Sequence, residues 1–235
     1  MPATREPVFN LPKATKALIV ALAAMQFVVA YGPAEFSQWL LATLAFVPAR
    51  VTVEGGAEYF TLVTYTMLHG DWTHLLVNIF ALAAFGTPVE RRFGAARYLM
   101  FLAASACAGA LFFLALHPYE IAPVVGASGA ISGTMGAIVR FAFTPGARLA
   151  DSRGSTQAPY GEGRSSTSLS QLAFNRQAMF FLIAWLAANL LLGAFPRAAG
   201  ASNAIAWEAH VGGFLFGLLF FGFFDRASRQ ASNSQ

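Results

Sequence analysis

Long apolar stretches alternate with polar connections along this chain, and the alternation is the first guide to its architecture. Each stretch has roughly the 17–25 residues that a helix needs to cross a bilayer. Backbone polar groups in lipid must be satisfied within their own segment, so helix is the default conformation. The apolar stretches cover residues 16–32, 71–89, 97–116, 127–143, 177–195 and 208–224. The pattern therefore predicts six transmembrane helices, spans 1 to 6, with both termini on the same side.

The composition supports a membrane protein and argues against a soluble domain. Of the 235 residues, 57% are hydrophobic and only 11% are charged, and 23 are phenylalanine. Soluble domains carry roughly 25% charged residues. A soluble chain of this length could not hide so much apolar surface, so the surplus must face lipid. We expect an all-α polytopic membrane protein.

The basic residues predict the orientation of the six spans. With a cytoplasmic N-terminus, all but two of the 15 Lys and Arg residues lie on the cytoplasmic side; Arg50 and Arg197 are the exceptions. Such a bias is typical of cytoplasmic loops. It also accounts for the net charge of +4 without a nucleic acid partner.

The predicted organisation is a single membrane domain with short extensions. A cytoplasmic N-terminus covers residues 1–15, the six-helix domain covers 16–224, and a cytoplasmic tail covers 225–235. The Ser/Gly-rich connection within 144–176 is typical of a flexible loop. The N-terminus lacks the character of a transit peptide, which favours a bacterial inner membrane over a mitochondrial one.

Polar residues inside apolar spans are expensive and are therefore candidates for function. Ser128 begins span 4, and His210 lies in the first turn of span 6 in "EAHVGGFLFG". His74 and Asn78 lie four residues apart in the first turns of span 2, which puts them on one helix face. Spans 2, 4 and 6 all run from outside to inside, so these four residues are expected at one depth near the outer surface.

This set of residues suits nucleophilic catalysis. A serine hydroxyl is a weak nucleophile and needs a base within hydrogen-bond reach, which His210 can supply to Ser128. His74, Asn78 and the backbone N–H of Ser128 can donate hydrogen bonds to an oxyanion. The positive end of the span 4 dipole also favours negative charge at Ser128. The chemistry calls for neither a metal nor a cofactor.

Glycines next to these residues predict close helix packing. Gly126 and Gly129 flank Ser128 and leave room for backbone or substrate to approach its hydroxyl. Gly213 and Gly217 follow His210 at a spacing of four. Such small faces let two helix backbones nearly touch, so we expect spans 4 and 6 to pack together and bring His210 to Ser128.

Taken together, these motifs resemble those of the rhomboid family of intramembrane serine proteases. The resemblance runs from about residue 60 to 224. It rests on His74-x-x-x-Asn78, "FGTPVERRFG", Gly126-Ala127-Ser128-Gly129 and Ala209-His210-x-x-Gly213-x-x-x-Gly217.

The resemblance implies a six-helix fold with a Ser128–His210 dyad in a water-filled cavity and His74 and Asn78 at the oxyanion site. It also implies substrates that are single-span membrane proteins. Many members place an aromatic residue four positions after the nucleophile, stacked on the base. Here that residue is Ser132, so the group that orients His210 is left open.

Two other classes of function compete with a protease. A non-catalytic rhomboid-like protein that binds membrane clients usually lacks the serine or the base histidine, and both are present here. A small transporter or channel would carry charged residues deep within broken helices, and none of the six spans has a charged residue deep within it. The sequence does not indicate the oligomeric state.

Overall fold

A computed structural model describes residues 11–53, 58–143, 166–194 and 206–225. The predicted N-terminus 1–15, loop 144–176 and tail 225–235 lie mostly outside these ranges. The helices are α1 (Lys13–Tyr31), α2 (Ala34–Leu44), α3 (Pro48–Thr52), α4 (Thr61–Thr64), α5 (Trp72–Ala81), α6 (Thr87–Phe93), α7 (Ala95–Leu116), α8 (Ser128–Ala142), α9 (Leu169–Ala173), α10 (Arg176–Ala194) and α11 (Trp207–Phe224). Within the described ranges, the only pairing of extended backbone is an isolated bridge between Phe46 and Val124.

Apolar helices occupy all six stretches in which the sequence predicts a span. Among the residues that the structure describes, four segments are long and apolar enough to cross a membrane: α1, the continuous segment Trp72–Phe93, α7 and α11. α8 has 15 residues and the apolar part of α10 is also shorter than a typical span. The prediction of an all-α polytopic membrane protein is confirmed, and the number of crossings stays a prediction.

The second predicted span is divided into three helical pieces. α5 passes into a π-helical turn, Leu82–Gly86, and this turn passes into α6. Pro88 lies in the first turn of α6 and has no backbone N–H to complete the α-helical ladder. The π-helical turn accommodates the missing hydrogen bond, and the helix continues through it. The helix ends at Gly94, whose positive φ of 78° suits glycine.

Glu90 fastens α6 to the start of α1. Its two carboxylate oxygens accept hydrogen bonds from the backbone N–H groups of Ala14 and Thr15, at 2.9 and 2.6 Å, and from the Thr15 hydroxyl at 2.7 Å. A carboxylate at a helix N-terminus satisfies unpaired N–H groups and complements the helix dipole. Glu90 therefore joins the start of the first predicted span to the end of the second.

A buried ion pair joins α6 to the residue that follows α11. Arg92 donates to both carboxylate oxygens of Asp225, at 3.0 and 2.6 Å. The rings of Phe141 and Phe221 lie about 5 Å from the guanidinium group. The fork geometry matches the carboxylate, and the aromatic faces stabilise the cation. The C-terminal ends of α6, α8 and α11 are thereby held together.

The connections at the opposite end of these helices support the segment that leads into α8. Phe46 and Val124 exchange backbone hydrogen bonds at 3.2 and 2.8 Å, and the N–H of Gly126 donates to the carbonyl of Tyr65 at 3.0 Å. The connection between α1 and α5 is therefore bonded to the segment that precedes Ser128. This bonding fixes the point at which α8 begins.

Candidate active site

Ser128 is the first residue of α8, directly after a backbone conformation that requires glycine. Gly126 has a φ of +123°, which side chains other than hydrogen rarely tolerate. A Cβ atom at this position would also lie 2.8 Å from the ring of His74. Both the dihedral angle and the space therefore restrict residue 126 to glycine. The turn at Gly126 thus places the Ser128 hydroxyl at the N-terminal end of α8.

α8 and α11 approach each other along four glycines, which we call the glycine seam: Gly129, Gly133, Gly213 and Gly217. A Cβ atom at Gly213 would collide with the carbonyl oxygen of Gly129, and one at Gly217 would collide with the carbonyl oxygen of Gly133. The two backbones are thus in direct contact, as small-residue faces allow. The seam brings the first turn of α11 alongside the first turn of α8.

Ser128 and His210 meet at the outer end of this seam. The Oγ of Ser128 lies 2.7 Å from the Nε2 of His210, although 82 positions separate the two residues. A distance in this range allows the hydroxyl to donate its proton to the imidazole. The sequence predicted these two residues as neighbours, and the structure brings them together.

Asn189 binds the other nitrogen of His210, a contact that sequence reasoning missed. The Oδ1 of Asn189 lies 2.7 Å from the Nδ1 of His210. Asn189 belongs to α10, the fifth predicted span, and is buried, with 6% of its surface exposed. An amide in the apolar run "FFLIAWLAANLLLGAF" was the available signal, because unpaired polar groups are costly in a span.

His74 and Asn78 lie on α5 and line the same cavity as Ser128 and His210. The side chain of Asn78 is buried, and its Nδ2 donates to the backbone carbonyl of His74 at 2.9 Å. The second N–H of the Asn78 amide is not used by that bond, because the amide group carries two. Asp71 accepts from the backbone N–H of His74 at 2.7 Å and so caps α5.

The cavity around these residues has a volume of about 730 Å³. Its wall includes the buried Ser132, one turn below Ser128, and Trp185 on α10. The volume would hold many water molecules or a few side chains of a peptide. Within the described ranges, no three His, Cys, Asp or Glu side chains are grouped so that they could hold a metal ion.

Two other histidines lie close to the site without touching Ser128. His69 is buried against the ring of His74, with the ring centroids 5.1 Å apart. Burial, reinforced by the charge of His74, lowers the pKa of His69 to about 4. His117 contacts the carboxylate of Glu208 at 2.8 Å, so Glu208 is directed away from His210.

Comparisons with known proteins point to one family. A family model described as "Rhomboid domain" matches residues 56–226. The chain is 38% identical over 101 residues to rhomboid protease GluP of Bacillus subtilis, covering 43% of this chain and 19% of that protein.

Further relatives extend the similarity. The chain is 36% identical over 107 residues to putative rhomboid protease YdcA of the same organism, covering 42% of this chain and 53% of that protein. It is 28% identical over 183 residues to RHOMBOID-like protein 5 of Arabidopsis thaliana, covering 78% of this chain and 48% of the relative. The matches thus span about a fifth to a half of the length of these curated relatives.

Proposed function

Because this chain belongs to the rhomboid family of membrane proteins, we propose that it is an intramembrane serine endopeptidase that uses Ser128 and His210. The family acts on membrane protein substrates within the bilayer. The observation that carries the proposal is the 2.7 Å separation between Ser128 Oγ and His210 Nε2 at the edge of a cavity. A nucleophile with a base in hydrogen-bond reach is the signature of covalent catalysis.

The reaction follows from the positions of the two groups. His210 Nε2 takes the hydroxyl proton while Ser128 Oγ attacks the scissile carbonyl carbon. The resulting imidazolium gives its proton to the leaving amine as the C–N bond breaks, which leaves an acyl group on Ser128. Water from the cavity then loses a proton to His210 and attacks the acyl carbon. Release of the carboxylic acid returns the proton to Ser128.

Three donors are proposed for the negative oxygen that forms during the attack. The backbone N–H of Ser128 belongs to the first turn of α8, where N–H groups have no partner within the helix. The unused N–H of Asn78 and the ring of His74 face the cavity from α5. Donors in a preorganised, partly dry site stabilise an oxyanion more than they would in water.

The substrate class and topology follow from the same reasoning. Single-span membrane proteins are the proposed substrates, because a substrate must reach a site that lies between membrane helices. We further propose six spans, with both termini and the connection 144–176 in the cytoplasm and the protein in a bacterial inner membrane. Labelling single cysteines from either side of sealed vesicles, after replacing Cys107, tests this topology.

Reconstituted protein tests the catalytic proposal. Purified wild type should cleave a single-span substrate in liposomes, whereas Ser128→Ala and His210→Ala should each lose about 10⁵-fold or more in rate. The double variant should be no worse than either single variant, because the pair acts as a unit. Ser105→Ala, a buried serine on α7, is the matched control and should keep its activity.

The competing function is a non-catalytic protein that binds membrane clients. It predicts that folded wild type and Ser128→Ala bind the substrate equally and that neither cleaves it. Cleavage by Ser128→Ala at the wild-type rate would instead end the assignment of the nucleophile.

A further inference from the structure

One polar side chain, Asn189, is buried within the apolar run of α10. Asn189 is 6% exposed, whereas its neighbours Leu186, Leu190 and Leu191 are 43% to 60% exposed. Burying an amide in such surroundings costs free energy unless its polar atoms are bonded. The partners of Asn189 therefore account for its presence.

Both halves of the Asn189 amide have partners, and these partners fix its orientation. The Nδ2 donates to the backbone carbonyl of Trp185 at 2.8 Å, and the Oδ1 lies 2.7 Å from the Nδ1 of His210. Turning the amide over would put two acceptor oxygens face to face at Trp185. The Oδ1 must therefore be the atom that faces His210, and it can only accept.

The orientation of Asn189 determines which nitrogen of the His210 ring carries the proton. Since Oδ1 accepts, Nδ1 of His210 must carry the proton, and in the neutral ring Nε2 is then the acceptor. That acceptor faces the Ser128 hydroxyl at 2.7 Å. The chain of hydrogen bonds runs from Ser128 through His210 to Asn189 with a consistent donor at every step.

We propose that Asn189 is a positioning residue that holds His210 in the tautomer and orientation needed to accept the proton of Ser128. This inference rests on the proposed protease function and adds a third member to the Ser128–His210 pair. In triads of this kind, the third group orients the base and selects its tautomer, without itself reacting.

The alternative candidates for this role have other partners or lie elsewhere. Glu208 is near in sequence, but its carboxylate contacts His117 at 2.8 Å. Ser132 lies one turn below Ser128 on α8, on the wall of the cavity. The Nδ1 of His210 bonds instead to Asn189 on α10.

Because Asn189 lies on α10, the tautomer and orientation of His210 depend on where α10 packs. Trp185, Asn189 and Gly193 are spaced by four and form one stripe on α10. Along α11 they meet Phe214, His210 and Trp207 in that order: the Trp185 and Phe214 rings stack at 4.1 Å, and a Cβ atom at Gly193 would collide with the Trp207 ring. His210 is therefore held by Asn189 only while α10 is docked along α11.

The direct test is the protonation of the His210 ring in the folded wild-type protein. With ¹⁵N-labelled histidine, four imidazole rings are visible, and the His210 signals are assigned by their loss in His210→Ala. At mildly basic pH the proposal predicts a proton on Nδ1 and none on Nε2. A proton on Nε2 would overturn it, and this measurement does not depend on any variant of Asn189 folding.

Variants at Asn189 separate positioning from a merely structural role. Asn189→Leu should lower kcat about 10- to 100-fold with little change in KM, and its His210 ring should show both tautomers; the loss is smaller than the roughly 10⁴-fold known for a charged third member. Asn189→Asp keeps an acceptor oxygen and should restore the Nδ1–H tautomer and at least about tenfold in rate over Asn189→Leu. Leu190→Ala, the exposed neighbour, is the matched control.

The outcomes distinguish this inference from the proposed function. If wild type shows no cleavage that depends on Ser128, the protease function fails. If wild type is active and Asn189→Leu has the same kcat and the same His210 tautomer, only the role of Asn189 fails. Equal activities of Asn189→Asp and Asn189→Leu, both below wild type, would also contradict it, because an acceptor oxygen would then not matter.

Discussion

Two of the helices that pack against α11, α8 and α10, do so in opposite ways. α8 meets α11 along the glycine seam, where a single added methyl group would collide with backbone. α10 meets it mainly through side chains, with the Trp185–Phe214 ring stack in the middle of a helix whose Phe180, Ile183 and Leu191 are exposed. Backbone contact leaves little freedom for movement, whereas a single row of side chains can separate.

We expect this difference to divide the candidate site into a fixed part and a movable part. Ser128 and His210 lie on the fixed pair α8 and α11, so their 2.7 Å contact does not depend on α10. Asn189 lies on the movable helix and contributes the bond to the far side of His210. A lateral opening can thus admit a substrate without separating the nucleophile from the base.

Cross-linking the movable helix should produce the largest effect. With Cys107 replaced, paired cysteines near the outer ends of α5 and α10 should, once bridged by a short reagent, abolish cleavage of a transmembrane substrate. A small serine-reactive probe should still label Ser128, because it can reach the cavity from water. A long, flexible bridge between the same cysteines is the control and should restore cleavage. Normal cleavage by a fully short-bridged enzyme would show that α10 need not leave α5.

Removal of Asn78, the proposed oxyanion donor on α5, should reduce turnover less than the cross-link does. Asn78→Ala should lower kcat about 10²- to 10³-fold, the loss typical of one preorganised oxyanion donor. Labelling of Ser128 by the probe should be slower but complete. If Asn78→Ala cleaves at the wild-type rate, the oxyanion would be held by His74 and the Ser128 backbone alone.

Two glycines of α11 allow a matched test of the glycine seam, because Gly217 belongs to the seam and Gly222 lies outside it. Gly217→Ala places a methyl group against the Gly133 backbone and should destabilise the fold by about 3 kcal/mol, the upper range for overpacking. Gly222→Ala meets no atom within 4 Å and should be neutral or slightly stabilising. Unfolding in detergent measures both. Equal stabilities of the two variants would argue against backbone contact at the seam.

His69 should give the smallest effect, and it lies outside both helix pairs. Burial, with a contribution from His74, lowers its pKa from 6.5 to about 4. Below about pH 6.5, His69 binds a proton in the unfolded chain but stays neutral in the folded protein until the pH approaches 4. The free energy of unfolding therefore falls as the pH decreases. The loss from this residue should reach about 2 kcal/mol by pH 5. His69→Phe should lose less stability than wild type between pH 7 and pH 5, and identical pH profiles would contradict this.

Much of the fold and the central pair could be predicted because each depends on a pattern within one helix. Apolar length predicts where the helices lie, and the shared direction of alternate spans predicts that Ser128, His210, His74 and Asn78 lie near the same surface. The small residues on α8 and α11 indicate close packing, since glycines at a spacing of four in an apolar helix are typical of helix–helix contact.

The role of Asn189 could not be predicted, because it depends on how two helices are rotated against each other. Beyond its first turn, α10 is apolar on every face except at Asn189, and this one amide does not indicate which residue of which helix it meets. Only the stripe of Trp185, Asn189 and Gly193 in the folded protein shows this. The π turn before Pro88 was missed for a similar reason: a proline in a span predicts a break in hydrogen bonding but not the form of helix that absorbs it.

Covalent labelling of Ser128 tests the central claim most directly. Folded wild-type protein treated with a fluorophosphonate probe should carry one adduct, which peptide mass spectrometry should locate on Ser128. Heat-denatured protein and folded His210→Ala should remain unlabelled, because reactivity requires the base at 2.7 Å. An unlabelled Ser128 in folded protein that cleaves its substrate, or equal labelling of Ser128 without His210, would contradict the account.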